Sequence, residues 1–218
     1  MGLIRGTNSS DSMDSTIFFL TTSIALILMP GPDMIYVLTR GISGGKIAGL
    51  LSATGVVSGI LVHTLAAALG LSILLQTSIV AFWIVKVAGG LYLIYMGIQL
   101  IVNKGALQLD DSEPKLSMRK CIVQGFLSNV LNPKVALFFV AFLPQFIDPA
   151  STTKSWEMIR LGFVFAGLTI LVLAILGWFS GSIGGFLKAN PTYARITRIG
   201  SGGVLALLGL KLLVPQQK

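Results

Sequence analysis

Charge-poor apolar stretches divide the chain into six segments, each of a length that can cross a bilayer. A span needs about 20 apolar residues, because the hydrocarbon core is about 30 Å thick. The stretches run continuously and do not alternate between apolar and polar positions, which favours helices over the strands of a barrel. The predicted helices cover residues 15–39, 47–70, 80–102, 121–147, 161–187 and 196–214.

The composition also indicates an integral membrane protein. Of the 218 residues, 54% are hydrophobic and 11% are charged, and the mean hydropathy is +0.85. Soluble domains carry about 25% charged residues, so lipid must cover most of this surface. The net charge of +8 comes from Lys and Arg between the apolar stretches, as expected of loops beside an anionic leaflet. No basic stretch interleaves with aromatic residues, so nucleic acid is not an expected partner.

Prolines interrupt the first and the fourth predicted helix. The first break is Pro30-Gly31-Pro32, and the second is Asn132-Pro133. Proline lacks an amide donor and clashes with the preceding turn, and each orphaned backbone group in lipid costs several kcal/mol. The broken turns are therefore predicted to line a wet or polar cavity. A simple kink that aids packing is the alternative.

The two halves of the chain look related. The pattern of residues 84–102 recurs at 196–214, with a basic residue and two glycines in matching positions, namely Lys86, Gly90 and Gly97 against Arg198, Gly202 and Gly209. Three helices per half is an odd number, so the second copy would enter the membrane upside down. Inverted repeats with paired helix breaks are typical of secondary transporters. We predict an all-α fold with repeat one at 15–102, a linker at 103–120 and repeat two at 121–214.

Charged residues follow both breaks and are the main functional candidates. An acidic side chain within a span costs roughly 2.5–3.5 kcal/mol on insertion scales, so Asp33 is predicted to carry a proton or to bind an ammonium group. A role as N-cap of the second half-helix is the alternative. Asn132 is predicted to cap the half-helix that follows it, whose N-terminus would bind a solute carboxylate together with Lys134. Snorkelling of Lys134 to the interface is the alternative.

Other polar residues in the spans are secondary candidates. Histidine side chains in general can exchange protons near neutral pH, which makes His63 a second candidate for proton coupling, although a lone histidine is more often a packing residue. Lys86 is expected to snorkel more readily than to bind solute, and Tyr92, Tyr95, Gln99 and Asn129 are the polar residues expected to face a cavity. Glycines at 89, 90 and 97 permit close contact between helices.

The chain has few of the residues that form metal sites or enzyme active sites. It has one cysteine, Cys121, and one histidine, which cannot form an internal disulfide or a thiolate cage. An enzyme needs a nucleophile with its base, or a metal. We therefore expect no catalytic residues, no metal and no cofactor. A passive channel for small solutes is the alternative function, although its pore rings would be charged.

Taken in order, these motifs resemble those of the LysE/RhtB family of amino-acid exporters. The resemblance covers the chain from Met13 onward. It runs through 28–34, the glycine-rich second helix with His63, 86–93 with Gly97, 129–134, and 142–146, which adds Gln145 as a secondary candidate.

The resemblance implies a multi-pass protein of the bacterial inner membrane that exports amino acids such as homoserine, threonine, lysine or cysteine-related metabolites, driven by the proton gradient. The family's two motifs fall on the helix breaks, so the residues expected to bind solute are Pro30, Gly31, Pro32, Asp33, Asn132, Pro133 and Lys134. Residues 1–14 would be an N-terminal extension. The expected partners are the amino-acid solute, protons, membrane lipid and a second copy of the chain in a homo-oligomer.

Overall fold

Nine α-helices make up the fold in the computed structural model, which describes residues 9–71, 79–102, 117–148 and 151–214. All regular structure in these ranges is helical, which confirms that the fold is all-α. The helices are α1 (Ser9–Leu28), α2 (Pro32–Gly44), α3 (Lys46–Ala66), α4 (Ile79–Val102), α5 (Met118–Val130), α6 (Pro133–Leu137), α7 (Lys154–Trp178), α8 (Ser180–Ala189) and α9 (Pro191–Leu213). Helix α3 continues as a π-helical turn over Ala67–Leu71, and α6 continues through a π turn at Phe138–Phe142 and a 3₁₀ turn at Leu143–Phe146.

Both predicted interruptions end a helix. Helix α1 stops before Pro30, and α2 leaves at 51° to it, while α5 stops before Asn132 and the segment after Pro133 leaves at 46°. Each new helix starts with proline at its first position, where the missing amide costs nothing. The breaks follow directly from proline chemistry.

The predicted boundaries of the last two helices were wrong. The stretch at 161–187 was expected to form one helix, but α7 ends at Trp178 and α8 begins at Ser180. The residues after Trp178 are rich in serine and glycine, which favour helix weakly, and Ser180 lies against the backbone of Gly41 on α2. Helix α9 starts at Pro191, before the predicted 196, because proline initiates it. The sequence expectations for 103–116, and for the side chain of Lys86, lie outside the described residues.

The described helices have the character of a membrane protein. By length and composition α3 and α7 can each cross a bilayer, and each bent pair passes the same test as one broken span, which makes up to four. Two shorter apolar segments, Val87–Gln99 and Gly202–Lys211, lie within α4 and α9. Large apolar side chains are exposed on the outside, while the buried positions include charged and amide side chains. Such a surface suits lipid as its solvent.

The helices pack in two groups. Helix α3 packs along α5 and α7, and a buried cluster of phenylalanines joins α1, α6 and α7. The largest members of that cluster are Phe19, Phe138, Phe139, Phe142 and Phe165. The second group is the pair α4 and α9, which run against each other along their length.

Glycines set the distance between α4 and α9. A Cβ added to Gly97 would lie 2.5 Å from the carbonyl oxygen of Gly202, and one added to Gly209 would lie 2.5 Å from that of Gly90. Since real Cβ atoms are not found so close to backbone, these positions admit only glycine without a shift. The prediction that Gly90 and Gly97 permit close contact is confirmed.

We expect Gly97→Ala to separate α4 from α9 and to destabilise the protein by about 1–3 kcal/mol, the usual cost of overpacking. The measurement is thermal unfolding of the purified protein in detergent. The matched control is Gly203→Ala on α9, because a Cβ there would meet nothing within 4 Å. Equal melting temperatures for the two variants would contradict the close approach.

Candidate functional site

The two helix breaks lie directly against each other. A Cβ added to Gly31 would be 2.9 Å from Nζ of Lys134, and Nδ2 of Asn132 is 2.8 Å from Oδ2 of Asp33. Gly31 is the N-cap of α2 and has an extended backbone, with φ −167° and ψ −179°. The two motifs therefore meet through Gly31 with Lys134 and through Asp33 with Asn132.

Asp33 is held by three side-chain donors from the end of α5 and the break after it. Ser128 Oγ donates to Oδ1 at 3.0 Å, and Nδ2 of both Asn129 and Asn132 donates to Oδ2 at 2.8 Å. The carboxyl is buried, with 8% of the residue exposed. A carboxylate accepts such bonds in its ionised form, and they are stronger than neutral ones. The N-cap alternative for Asp33 is wrong, because Gly31 takes that position.

Lys134 replaces a backbone donor that proline removes. In a continuous helix the amide of residue 30 would donate to the carbonyl of Leu26, but Pro30 has no N–H. Nζ of Lys134 donates to that carbonyl at 3.2 Å and to the carbonyl of Met29 at 3.0 Å. Lys134 is 6% exposed, so the snorkelling alternative is wrong. Its ammonium caps the end of α1.

Asn132 caps α6, as the sequence predicted. Its Oδ1 accepts from the backbone N–H of Lys134 at 3.0 Å, while its Nδ2 is bound to Asp33. The sequence analysis predicted that backbone amides at the start of α6 would bind a solute carboxylate. One of them, the N–H of Lys134, is already bound to Asn132. The charge of Lys134 is the stronger attraction for an anion at this break.

The breaks hold each other reciprocally. Asp33, which follows the first break, is bound by the end of α5, and Lys134, which follows the second, binds the end of α1. A charged side chain from each half of the chain therefore satisfies polar groups that the other half leaves open.

Two cavities flank these contacts. The smaller has a volume of about 20 Å³ and is lined by Asp33, Asn129 and Lys134 among apolar side chains; it has room for about one water molecule. The larger has a volume of about 440 Å³ and is bounded by Pro30, Gly31, Pro32 and Lys134 on one side. Its other walls come from α2, α4 and α9, through Ile35, Tyr92, Tyr95, Met96, Gln99 and Leu205. Lys134 lines both cavities.

His63 hydrogen-bonds to the backbone of Asn129, whose side chain binds Asp33. Its Nε2 is 3.0 Å from the carbonyl oxygen of Asn129, and because a carbonyl only accepts, Nε2 carries the hydrogen. The imidazole also packs against Phe139, with ring centres 5.9 Å apart. His63 thus holds the residue that binds Asp33.

Of the secondary candidates, Asn129 and Tyr92 lie at the site and Gln145 lies in another turn. Asn129 belongs to the set that binds Asp33, and Tyr92 lines the larger cavity. Gln145 lies in the turn Leu143–Phe146, where its Nε2 donates to the carbonyl of Ala141 at 3.1 Å. Ser128 was missed by the sequence reasoning, although it directly precedes Asn129. Tyr95 and Gln99, which the sequence reasoning also named, line the larger cavity beside Tyr92.

Comparisons with known proteins identify the chain's relatives. The family model described as LysE type translocator matches residues 24–216. A leucine efflux protein of Enterobacter sp. (strain 638) is 30% identical over 196 residues, covering 88% of this chain and 88% of the relative. A homoserine/homoserine lactone efflux protein of Salmonella typhi is 32% identical over 194 residues, covering 89% and 93%. An uncharacterised membrane protein of Bacillus subtilis (strain 168) is 28% identical over 208 residues, covering 91% and 98%. No solved structure matches significantly.

Proposed function

Because this chain belongs to the LysE family of translocators, we propose that it is a secondary transporter that exports amino acids or close derivatives across the bacterial inner membrane, coupled to proton movement. The observation that carries the proposal is the meeting of two broken helices beside a cavity of about 440 Å³. Sites for small molecules have volumes of about 300–1,000 Å³. The efflux relatives support the solute class.

The proposed architecture has six spans in two inverted repeats, with α1–α2, α3 and α4 in one half and α5–α6, α7 and α9 in the other. Two elements related by a two-fold axis make each contact twice, with the roles exchanged. Aligning Lys86 with Arg198 makes Gly90 equivalent to Gly202 and Gly97 equivalent to Gly209. Gly97 contacts Gly202 and Gly90 contacts Gly209, which is the exchange that such an axis requires.

Two further pairs of contacts support the same axis. Aligning Gly49 with Gly162 makes Thr64 equivalent to Gly177. Gly49 lies against Gly177, and Thr64 lies against Gly162. Likewise, aligning Pro32 with Pro133 makes Asp33 equivalent to Lys134, and each of these binds the broken end in the opposite half. Repeats of this kind place the solute site near the bilayer midplane.

In the proposed mechanism Lys134 attracts the carboxylate of the solute. An ammonium group has three donors, and two of them bind the carbonyls of Leu26 and Met29. The third is left for a solute carboxylate in the larger cavity, which Lys134 lines together with the backbone of Gly31. Because glycine has no side chain, the solute can approach the ammonium closely.

Asp33 is the proposed proton carrier. A protonated carboxyl needs an acceptor for its new O–H, and Oδ1 of Asn129 is buried without a hydrogen-bond partner among the described residues. Rotating the amide of Asn129 would bring this oxygen to Asp33, so the same residues can hold the carboxyl in both protonation states. His63 contacts Asn129 and not Asp33, so we assign it a positioning role.

The test is transport by the purified full-length protein in proteoliposomes, with leucine, threonine, lysine and glutamate as labelled solutes. We expect at least one amino acid to accumulate against its own gradient when a pH gradient is imposed, and a protonophore to abolish the accumulation. Flux that only equilibrates the solute, with or without the pH gradient, would identify a passive channel. No flux of any of the four would refute the proposed solute class.

A further inference from the structure

We infer that the larger cavity is the side-chain subsite of the transporter, and that it selects amino acids whose side chains are uncharged. The inference rests on the proposed function, since it assigns a selectivity to that same site. It concerns the wall opposite the helix breaks, where α4 contributes Tyr92, Tyr95 and Gln99.

The charge of the lining limits the solute. Among the described residues that bound the cavity, Lys134 is the one with a charged side chain, and it matches the single α-carboxylate of an amino acid. Asp33 lines only the smaller cavity of the two, and its oxygens already accept three hydrogen bonds. The α-ammonium of the solute lies beside its own α-carboxylate, but a side-chain ammonium would find no carboxylate among the described lining residues, and a side-chain carboxylate would find no second cation there. Leaving a desolvated charge unpaired is strongly unfavourable.

The α4 wall offers neutral hydrogen-bonding groups. Tyr92, Tyr95 and Gln99 are three and four residues apart, so they lie on one face of the helix. Gln99 Nε2 donates to the hydroxyl of Tyr95 at 2.6 Å, and the rings of Tyr92 and Tyr95 are 5.9 Å apart. Tyr92 is 37% exposed and Tyr95 is 53% exposed, so a solute that enters the cavity they bound can reach their hydroxyl groups.

Apolar residues complete the subsite. Ile35 on α2, Met96 on α4 and Leu205 on α9 bound the same space. A site with methyl and methylene groups on some walls, and hydroxyl and amide groups on another, accepts both aliphatic and hydroxylated side chains. The polar wall should raise the share of hydroxylated solutes, because a site that bonds a hydroxyl discriminates against its absence.

The experiment measures counterflow of threonine and leucine in the same proteoliposomes, so that the ratio of the two rates is independent of how much protein is inserted. We expect Gln99→Leu and Tyr95→Phe each to lower the threonine-to-leucine ratio by roughly three- to tenfold, as for the loss of one hydrogen bond. The matched controls are Gln124→Leu on α5 and Tyr193→Phe on α9, which are exposed and do not bound either cavity. The controls should keep the wild-type ratio.

Charge selectivity is tested with lysine. The wild-type protein should exchange leucine and threonine but neither lysine nor glutamate, and Gln99→Glu should add exchange of lysine by placing a carboxylate on the α4 wall. The inference is overturned if the wild type carries lysine as fast as leucine, or if the ratio stays constant in both α4 variants. Those outcomes leave amino-acid transport itself intact, whereas absence of all exchange in the wild type would refute the proposed function instead.

Discussion

Replacing Asp33 with asparagine should abolish accumulation driven by the pH gradient while leaving solute exchange in place. Asparagine has the same shape and cannot take up or release a proton. Its oxygen can accept from Asn129 and Asn132, and its amide can donate to Ser128 Oγ, so the contacts between the breaks persist. Three charge-assisted hydrogen bonds become neutral, which should lower stability by about 1–3 kcal/mol.

The measurement compares accumulation under a pH gradient with counterflow in its absence, for the wild type and Asp33→Asn. Asp148→Asn is the control, since Asp148 is exposed and lies outside both cavities. Accumulation in Asp33→Asn should fall to the level seen without a gradient. If this variant accumulates solute as the wild type does, Asp33 has no part in the coupling.

Lys134→Met should remove both accumulation and counterflow, because it deletes the cation proposed to hold the solute carboxylate. It also leaves the carbonyls of Leu26 and Met29 without the Lys134 donor. Each buried carbonyl left unpaired costs about 1–3 kcal/mol, so the melting temperature should fall as well. The contrast with Asp33→Asn, which should keep counterflow, separates solute binding from proton coupling.

Two further variants show whether Lys134→Met acts on binding or only on folding. Lys134→Gln keeps a hydrogen-bond donor without the charge, so it should recover part of the stability but none of the transport. Lys120→Met at the exposed start of α5 removes a lysine away from the cavities and should change neither. Normal counterflow in a folded Lys134→Gln protein would contradict the role of the charge.

The helix breaks could be predicted because their causes are local. Proline lacks an amide wherever it occurs, so Pro30 and Pro133 interrupt a helix whatever surrounds them. The cap formed by Asn132 is equally local, since its side chain bonds an amide two residues ahead. Glycines recurring along two apolar helices likewise indicated the contact between α4 and α9.

The partners of the charged residues could not be predicted, because they lie far away in the chain. Asp33 is bound by Asn129 and Asn132, and Lys134 by carbonyls of α1. These pairs depend on how whole helices pack. From the sequence, N-capping by Asp33 and snorkelling of Lys134 were open alternatives, since each needs only local groups.

The end of α7 shows a similar limit. A stretch without charged residues predicts one helix, and the serine and glycine residues after Trp178 only weaken it. The interruption lies where Gly41 of α2 meets Ser180, a contact between elements distant in sequence. The absence of charged residues therefore predicts where an apolar stretch lies, but it predicts the ends of the helices within it less accurately.

The last turn of α1 depends on a charged side chain, because the ammonium group of Lys134 donates to the carbonyl of Leu26. Most helix ends are satisfied by uncharged groups that no solute competes for, but here the donor is an ammonium that also borders the larger cavity. Any anion that draws this ammonium away loosens the final turn of α1, and any cation that enters beside it is repelled. An anion that moved this nitrogen atom away from Leu26 would therefore couple occupancy of the cavity to the last turn of α1.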